Sequence, residues 1–130
     1  MEKDERYERG WRKLQELNPA AADRLLESLE DIAPDLARYA VEFGFGDVIS
    51  RPGLDLKTRE MITIGVLAAA GNADPQLRAH IDGALNVGCT REEIVEIMMH
   101  IALYAGFPAA LNGMAAAKEV FSERADHAAP

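Results

Sequence analysis

Cysteine is almost missing from this chain: Cys89 stands alone among 130 residues. No disulfide can form within one copy, and thiolates cannot build a metal cluster. A reducing, cytoplasmic setting suits such a chain. Metal-ligand spacing is missing too. The histidines are His80, His100 and His127, and no two stand at H-x-x-x-H spacing. Positive charge is scarce: 14 Lys and Arg against 22 Asp and Glu give a formal charge of −8. That excess disfavours general nucleic-acid binding, which needs a basic surface, and adsorption to anionic membranes. The apolar runs fall well short of the ~20 residues that cross a bilayer. The opening MEKDERYERGW is charged and lacks a signal-peptide core. No glycine-rich phosphate loop is present, and no cofactor is expected.

What is there reads as one globular domain spanning residues 1–130. Hydrophobic residues make up 48% of the chain, enough for a core without disulfides. No segment alternates at period two, and helix punctuation recurs, so the fold is read as all-α with six to seven helices. Asn18-Pro19 and Asp74-Pro75 each place a cap residue before a proline. Thr90 with Glu93 has the capping-box spacing. Gly71, Gly88 and Gly106 are read as helix stops. Gly44, Gly46, Pro52 and Gly53 predict a long loop between Phe43 and Leu54. The organised core is expected to span about residues 7–121, with 124–130 a frayed tail. Two segments, MITIGVLAAAG and IVEIMMHIALYAG, are apolar nearly all round. They predict a central helical hairpin, and a chain of this size has difficulty covering both, which points to homo-oligomerisation.

Several ionisable groups border those apolar helices. His80 shares a helical stripe with Ala73, Gln76, Ala84 and Val87, small neighbours that leave room for a ligand. His100 lies inside the second apolar segment, where a buried imidazole needs a partner. Glu60 opens the first. A glutamate near a helix start is favoured by the dipole, but burial disfavours its charged form, so it is also a candidate acid–base group. Arg59 and Arg78 could each grip a carboxylate. Cys89 follows a glycine stop and has no resolving partner.

The words SRPGLDLKTRE, QLRAHIDGALNVGCTREEIVEI and YAGFPAALN, in this order and spacing, resemble the carboxymuconolactone decarboxylase family, most closely its γ-carboxymuconolactone decarboxylase branch. The resemblance implies an alkylhydroperoxidase-like all-α fold and a homohexamer, with a homotrimer as the alternative. The peroxidase branch of that superfamily carries C-x-x-C-x-x-x-H. Here its histidine falls on His80 and its two cysteines on Ala73 and Gln76, so a dithiol mechanism is ruled out. The decarboxylase branch implies cofactor-free loss of CO2 from a small anionic lactone, γ-carboxymuconolactone, in aromatic catabolism. It implies His80 and Glu60 as catalytic residues and Arg59, Arg78 and His100 as substrate-binding residues, with no metal. One departure is EFGFGDVIS, residues 42–50, which carries phenylalanines where a tryptophan-rich segment is expected. Another small carbonyl or lactone substrate, or a non-catalytic oligomeric binding role, are the alternatives.

Overall fold

The computed structural model describes residues 4–128, and among these every regular element is a helix. The order is α1 (Glu5–Leu17), α2 (Pro19–Leu29), α3 (Pro34–Tyr39) running into a π-helix (Ala40–Ile49), then α4 (Leu56–Ala70), α5 (Asp74–Asn86), α6 (Arg91–Ala105) and α7 (Phe107–Ala128). The all-α expectation is met. The chain divides after Leu56 into two compact units.

In the first unit α1 packs against the π-helix. Tyr7, Leu14, Ala22 and Val41 form its core, flanked by Trp11, Leu25 and Phe45. Asn18 caps α2: its side chain accepts from the Ala21 N–H at 3.1 Å, and Pro19 follows as the first helical residue. The long loop predicted between Phe43 and Leu54 is corrected here, because the backbone stays helical through Ile49. Gly46 is not a breaker. It is buried against α1, where an added β-carbon would overlap the Arg6 carbonyl oxygen, and Gly10 sits equally close to the Val41 carbonyl. These two glycines let two backbones touch.

Charge reinforces that contact. Arg6 grips Asp47 through both carboxylate oxygens, with Nη2 at 2.7 Å, while Arg9 Nε donates to the Gly46 carbonyl at 2.7 Å. The Arg6 guanidinium holds the Asp47 carboxyl below the usual carboxylate range. A carboxyl whose folded pKa is depressed contributes stability above its unfolded pKa. That contribution is lost as pH falls through the folded value. The wild-type unfolding midpoint should therefore drop on acidification more than that of Asp47→Asn, a difference that 1 M salt should shrink because the pair is exposed. Parallel acid profiles for the two proteins would contradict this.

The second unit holds α4 to α7. Its core gathers Ile64 and Ala68 from α4, Leu77, Ile81 and Ala84 from α5, Ile94, Met98 and Ile101 from α6, and Ala110, Ala116, Ala117 and Val120 from α7. The α5–α6 turn follows its punctuation. Gly88 has φ +104°, in the region open to glycine. Thr90 Oγ1 then accepts from the Glu93 N–H at 3.0 Å, and Glu93 Oε1 accepts from the Thr90 N–H at 2.9 Å. Thr90→Ala should cost about 1 kcal/mol in chemical denaturation, and an unchanged midpoint would show the box to be idle.

Two expectations are corrected in this unit. Asp74 is the first residue of α5 rather than its cap, and its carboxylate instead accepts from Arg78 Nε at 2.7 Å. The last helix continues to Ala128, beyond the stop expected near Glu123. Within one copy α4 and α6 leave apolar side chains uncovered, as expected for a chain of this size. Ile62 and Val66 of α4 and Met99, Leu103 and Tyr104 of α6 stay more than half exposed, as do Phe107 and Leu111 of α7. Composition alone cannot separate a helix buried all round from one with a second apolar face left open.

Candidate functional site

Glu60 occupies an unusual place for a carboxyl. On α4 the buried residues are Glu60, Ile64 and Ala68, a stripe at helical spacing, so the glutamate takes the first position of a core-facing row. It is fully buried. On α5 the inward row is Leu77, Ile81 and Ala84. His80 stands beside that row, so its ring lies at the edge of the core and is 24% exposed. Packing α5 against α4 brings the two together: His80 Nδ1 and Glu60 Oε2 are 2.7 Å apart.

With Glu60 ionised, its oxygens can only accept, so Nδ1 then carries the hydrogen that is donated to Glu60, and Nε2 is the nitrogen left for a ligand. The other carboxyl oxygen, Glu60 Oε1, is buried and has no hydrogen-bond partner among the described residues. A buried acceptor without a donor is costly and marks a group kept for reasons other than stability. The arrangement is that of an imidazole oriented by a buried carboxylate, which can take up or release a proton at one exposed nitrogen.

The remaining expected site residues are placed differently. Arg59 precedes Glu60 on α4, is partly exposed, and its carbonyl accepts from the Thr63 hydroxyl at 2.9 Å. The Arg78 guanidinium is held by Asp74 and by Glu119 of α7, so its charge is already matched within the chain. His100 is not the buried histidine expected from its neighbours. It is exposed, tilted against the Tyr104 ring at a centroid distance of 5.7 Å, because α6 turns Ile94, Met98 and Ile101 inward and His100 outward. Its side chain joins the wall of an open groove of about 620 Å³ between α4 and α6, with Met61, Ile62, Val66 and Ile97 and a rim of Glu92, Glu93 and Glu96. Neither Glu60 nor His80 belongs to that wall. The sequence analysis read only Glu93 among these glutamates, as a capping residue. The available signal was helical spacing, with Glu96 four positions before His100, Glu93 seven and Glu92 eight.

Cys89 is buried, with burial the main cause pushing its thiol up from the ordinary range. It should resist alkylation in the native protein and react readily once denatured. Rapid native labelling would reopen thiol chemistry. Among the described residues no group of three or more His, Cys, Asp or Glu side chains is placed to hold a metal ion. No helix of the described chain is long and apolar enough to cross a membrane.

Comparison with known proteins adds to this geometry. Residues 34–119 match the model of the carboxymuconolactone decarboxylase family. The chain is 39% identical over 124 residues to a 4-carboxymuconolactone decarboxylase of Acinetobacter baylyi, covering 95% of this chain and 92% of that protein. It is 35% identical over 85 residues to a nitrosuccinic acid decarboxylase of Metarhizium robertsii, covering 65% of this chain and 59% of that one. A 15.0 kDa protein of Paracoccus denitrificans is 35% identical over 107 residues, with 82% and 80% covered.

Proposed function

The chain belongs to the carboxymuconolactone decarboxylase family, and we propose that it is a cofactor-free carboxy-lyase whose substrate is γ-carboxymuconolactone. The observation that carries the reading is the 2.7 Å contact between His80 and the buried Glu60, which leaves Nε2 free for a ligand. In this lactone the departing carboxylate sits on a carbon conjugated through a double bond to the lactone carbonyl. Loss of CO2 delivers its electron pair to that carbonyl oxygen as a furanolate-like anion. The protein must orient a dianion, stabilise charge at the oxygen and deliver a proton to carbon. His80 donates that proton from Nε2, and Glu60 orients the ring and offsets its charge. Arg59 and Arg78 are the cations proposed for a substrate carboxylate. The α4–α6 groove is ill suited to a dianion because three glutamates rim it, so His100 is set aside as a substrate ligand.

A second reading has support from the fungal relative, whose name gives it nitrosuccinic acid. A nitro group beside a carboxylate is also an electron sink, so the same acid–base pair could serve a small dicarboxylate with a different acceptor. Supplying each acid in turn, and following CO2 and product by NMR, separates the two. Turnover of the lactone alone supports the first reading and turnover of nitrosuccinate alone the second. Turnover of neither contradicts both.

Self-association belongs to the same proposal. The support is the set of large apolar side chains of α4, α6 and α7 that stay exposed in one copy, which a partner copy would cover. A homohexamer is expected, with a homotrimer as the alternative. Light scattering should give a mass several times 14.2 kDa, and a monomer at micromolar concentration would contradict it.

A further inference from the structure

We propose that the same imidazole supports a second activity: allylic proton transfer on β,γ-unsaturated γ-lactones that lack the γ-carboxylate. The inference rests on the decarboxylase reading and deepens it. In that reading the last step is a proton transfer from His80 Nε2 to the carbon α to the lactone carbonyl. Proton transfer runs both ways through one transition state. In reverse, neutral Nε2 takes the α-hydrogen as a proton, and the C–H electron pair enters the ring to give the same furanolate anion. The imidazolium then returns the proton either to the α carbon or to the γ carbon. Return to the α carbon restores the starting lactone, and return to the γ carbon moves the double bond into conjugation with the carbonyl. No atom or electron is gained or lost, and no co-reactant is needed.

The geometry carries this step. Nδ1 is committed to Glu60, so a single nitrogen must serve as base and then as acid. The ring is 24% exposed while Glu60 is fully buried. Water can therefore exchange the Nε2 proton without reaching the carboxyl. Within the chain the Glu60 carboxyl makes its hydrogen bond to His80, with Oε1 unpartnered among the described residues, so its negative charge is directed at the ring that becomes positive on taking the proton. Such lactones also have no γ-carboxylate to lose, so the anion formed in the site has only the two proton-return routes.

The test uses the wild-type protein in D2O with a β,γ-unsaturated γ-lactone that bears an acetate arm on its γ carbon, followed by proton NMR. Deuterium should enter the α position, and the α,β isomer should form, about a hundredfold or more faster than in buffer. His80→Gln should fall to the buffer rate. If that variant does not fold, the comparison of wild type with buffer and a second variant, His80→Asn, decide. CO2 release from the γ-carboxylated lactone is measured beside it. CO2 release without exchange above buffer overturns the inference and leaves the decarboxylase reading standing. Exchange without CO2 release does the reverse, and absence of both overturns both. Exchange that survives in folded His80→Gln also overturns the assignment.

Discussion

His80→Gln should give a folded protein that releases CO2 about a thousandfold more slowly, equivalent to about 4 kcal/mol in the barrier. Glutamine can still offer a hydrogen bond toward Glu60, but it has no nitrogen that exchanges a proton near neutral pH. The ring is partly exposed and stands beside the inward row of α5 rather than in it, so the loss of packing is small. The melting temperature should move by only a few degrees. Glu60→Gln should fall between the variant and wild type in kcat. Its side-chain carbonyl keeps an acceptor for Nδ1–H, but the negative charge that offsets the imidazolium is gone. KM should change little in either variant, since neither is assigned to substrate binding. Retained turnover in His80→Gln would refute its role as proton donor.

Gly10→Ala should destabilise the first unit by about 3 kcal/mol or more. On propensity alone the substitution would favour α1 by about 1 kcal/mol, because alanine is the better helix former. Packing decides the sign. The new methyl would overlap the Val41 carbonyl and crowd the Gly46 amide at 2.8 Å, and both are backbone atoms of the π-helix. Neither can rotate away, so the two helices must separate and loosen the Tyr7, Leu14 and Val41 core. Gly113→Ala is the contrast, because its nearest neighbours are the Met98 sulfur and the Ala68 methyl. Methionine can change rotamer, so this variant should lose less. Thermal or urea unfolding of the two side by side measures the difference. A Gly10→Ala protein as stable as wild type would mean that the close approach of α1 and the π-helix is wrong.

The helix ends were readable because they depend on local chemistry. Asn18, Thr90 with Glu93, and Gly88 act within a turn of where they stand, and each behaves as its residue type suggests. Gly46 was misread as part of a loop because glycine has two uses. A single sequence does not show whether a missing β-carbon serves a turn or a neighbouring helix, and Arg6 is 40 positions away from the residue it touches. From the residues alone Glu60 and His80 were two separate oddities, a carboxyl opening an apolar helix and an imidazole among small residues, and it was the family resemblance that joined them as catalytic residues. Their meeting needs the packing of α4 on α5. The ion pairing of Arg78 was hidden for a related reason, since its partner Glu119 lies on α7. His100 shows the limit of composition: its neighbours are apolar on both faces of α6, and only the fold says which face is covered.

The most direct measurement supplies γ-carboxymuconolactone, made in place from its muconate precursor and labelled with 13C in the γ-carboxylate. Labelled CO2 and unlabelled enol-lactone are then followed with wild-type protein and with buffer. The label should appear as CO2 in step with one equivalent of enol-lactone, and His80→Gln should lose the acceleration. Protein that is folded and self-associated yet leaves the label on the lactone at the buffer rate would contradict the central claim, that this pair is the acid–base centre of a lactone decarboxylase.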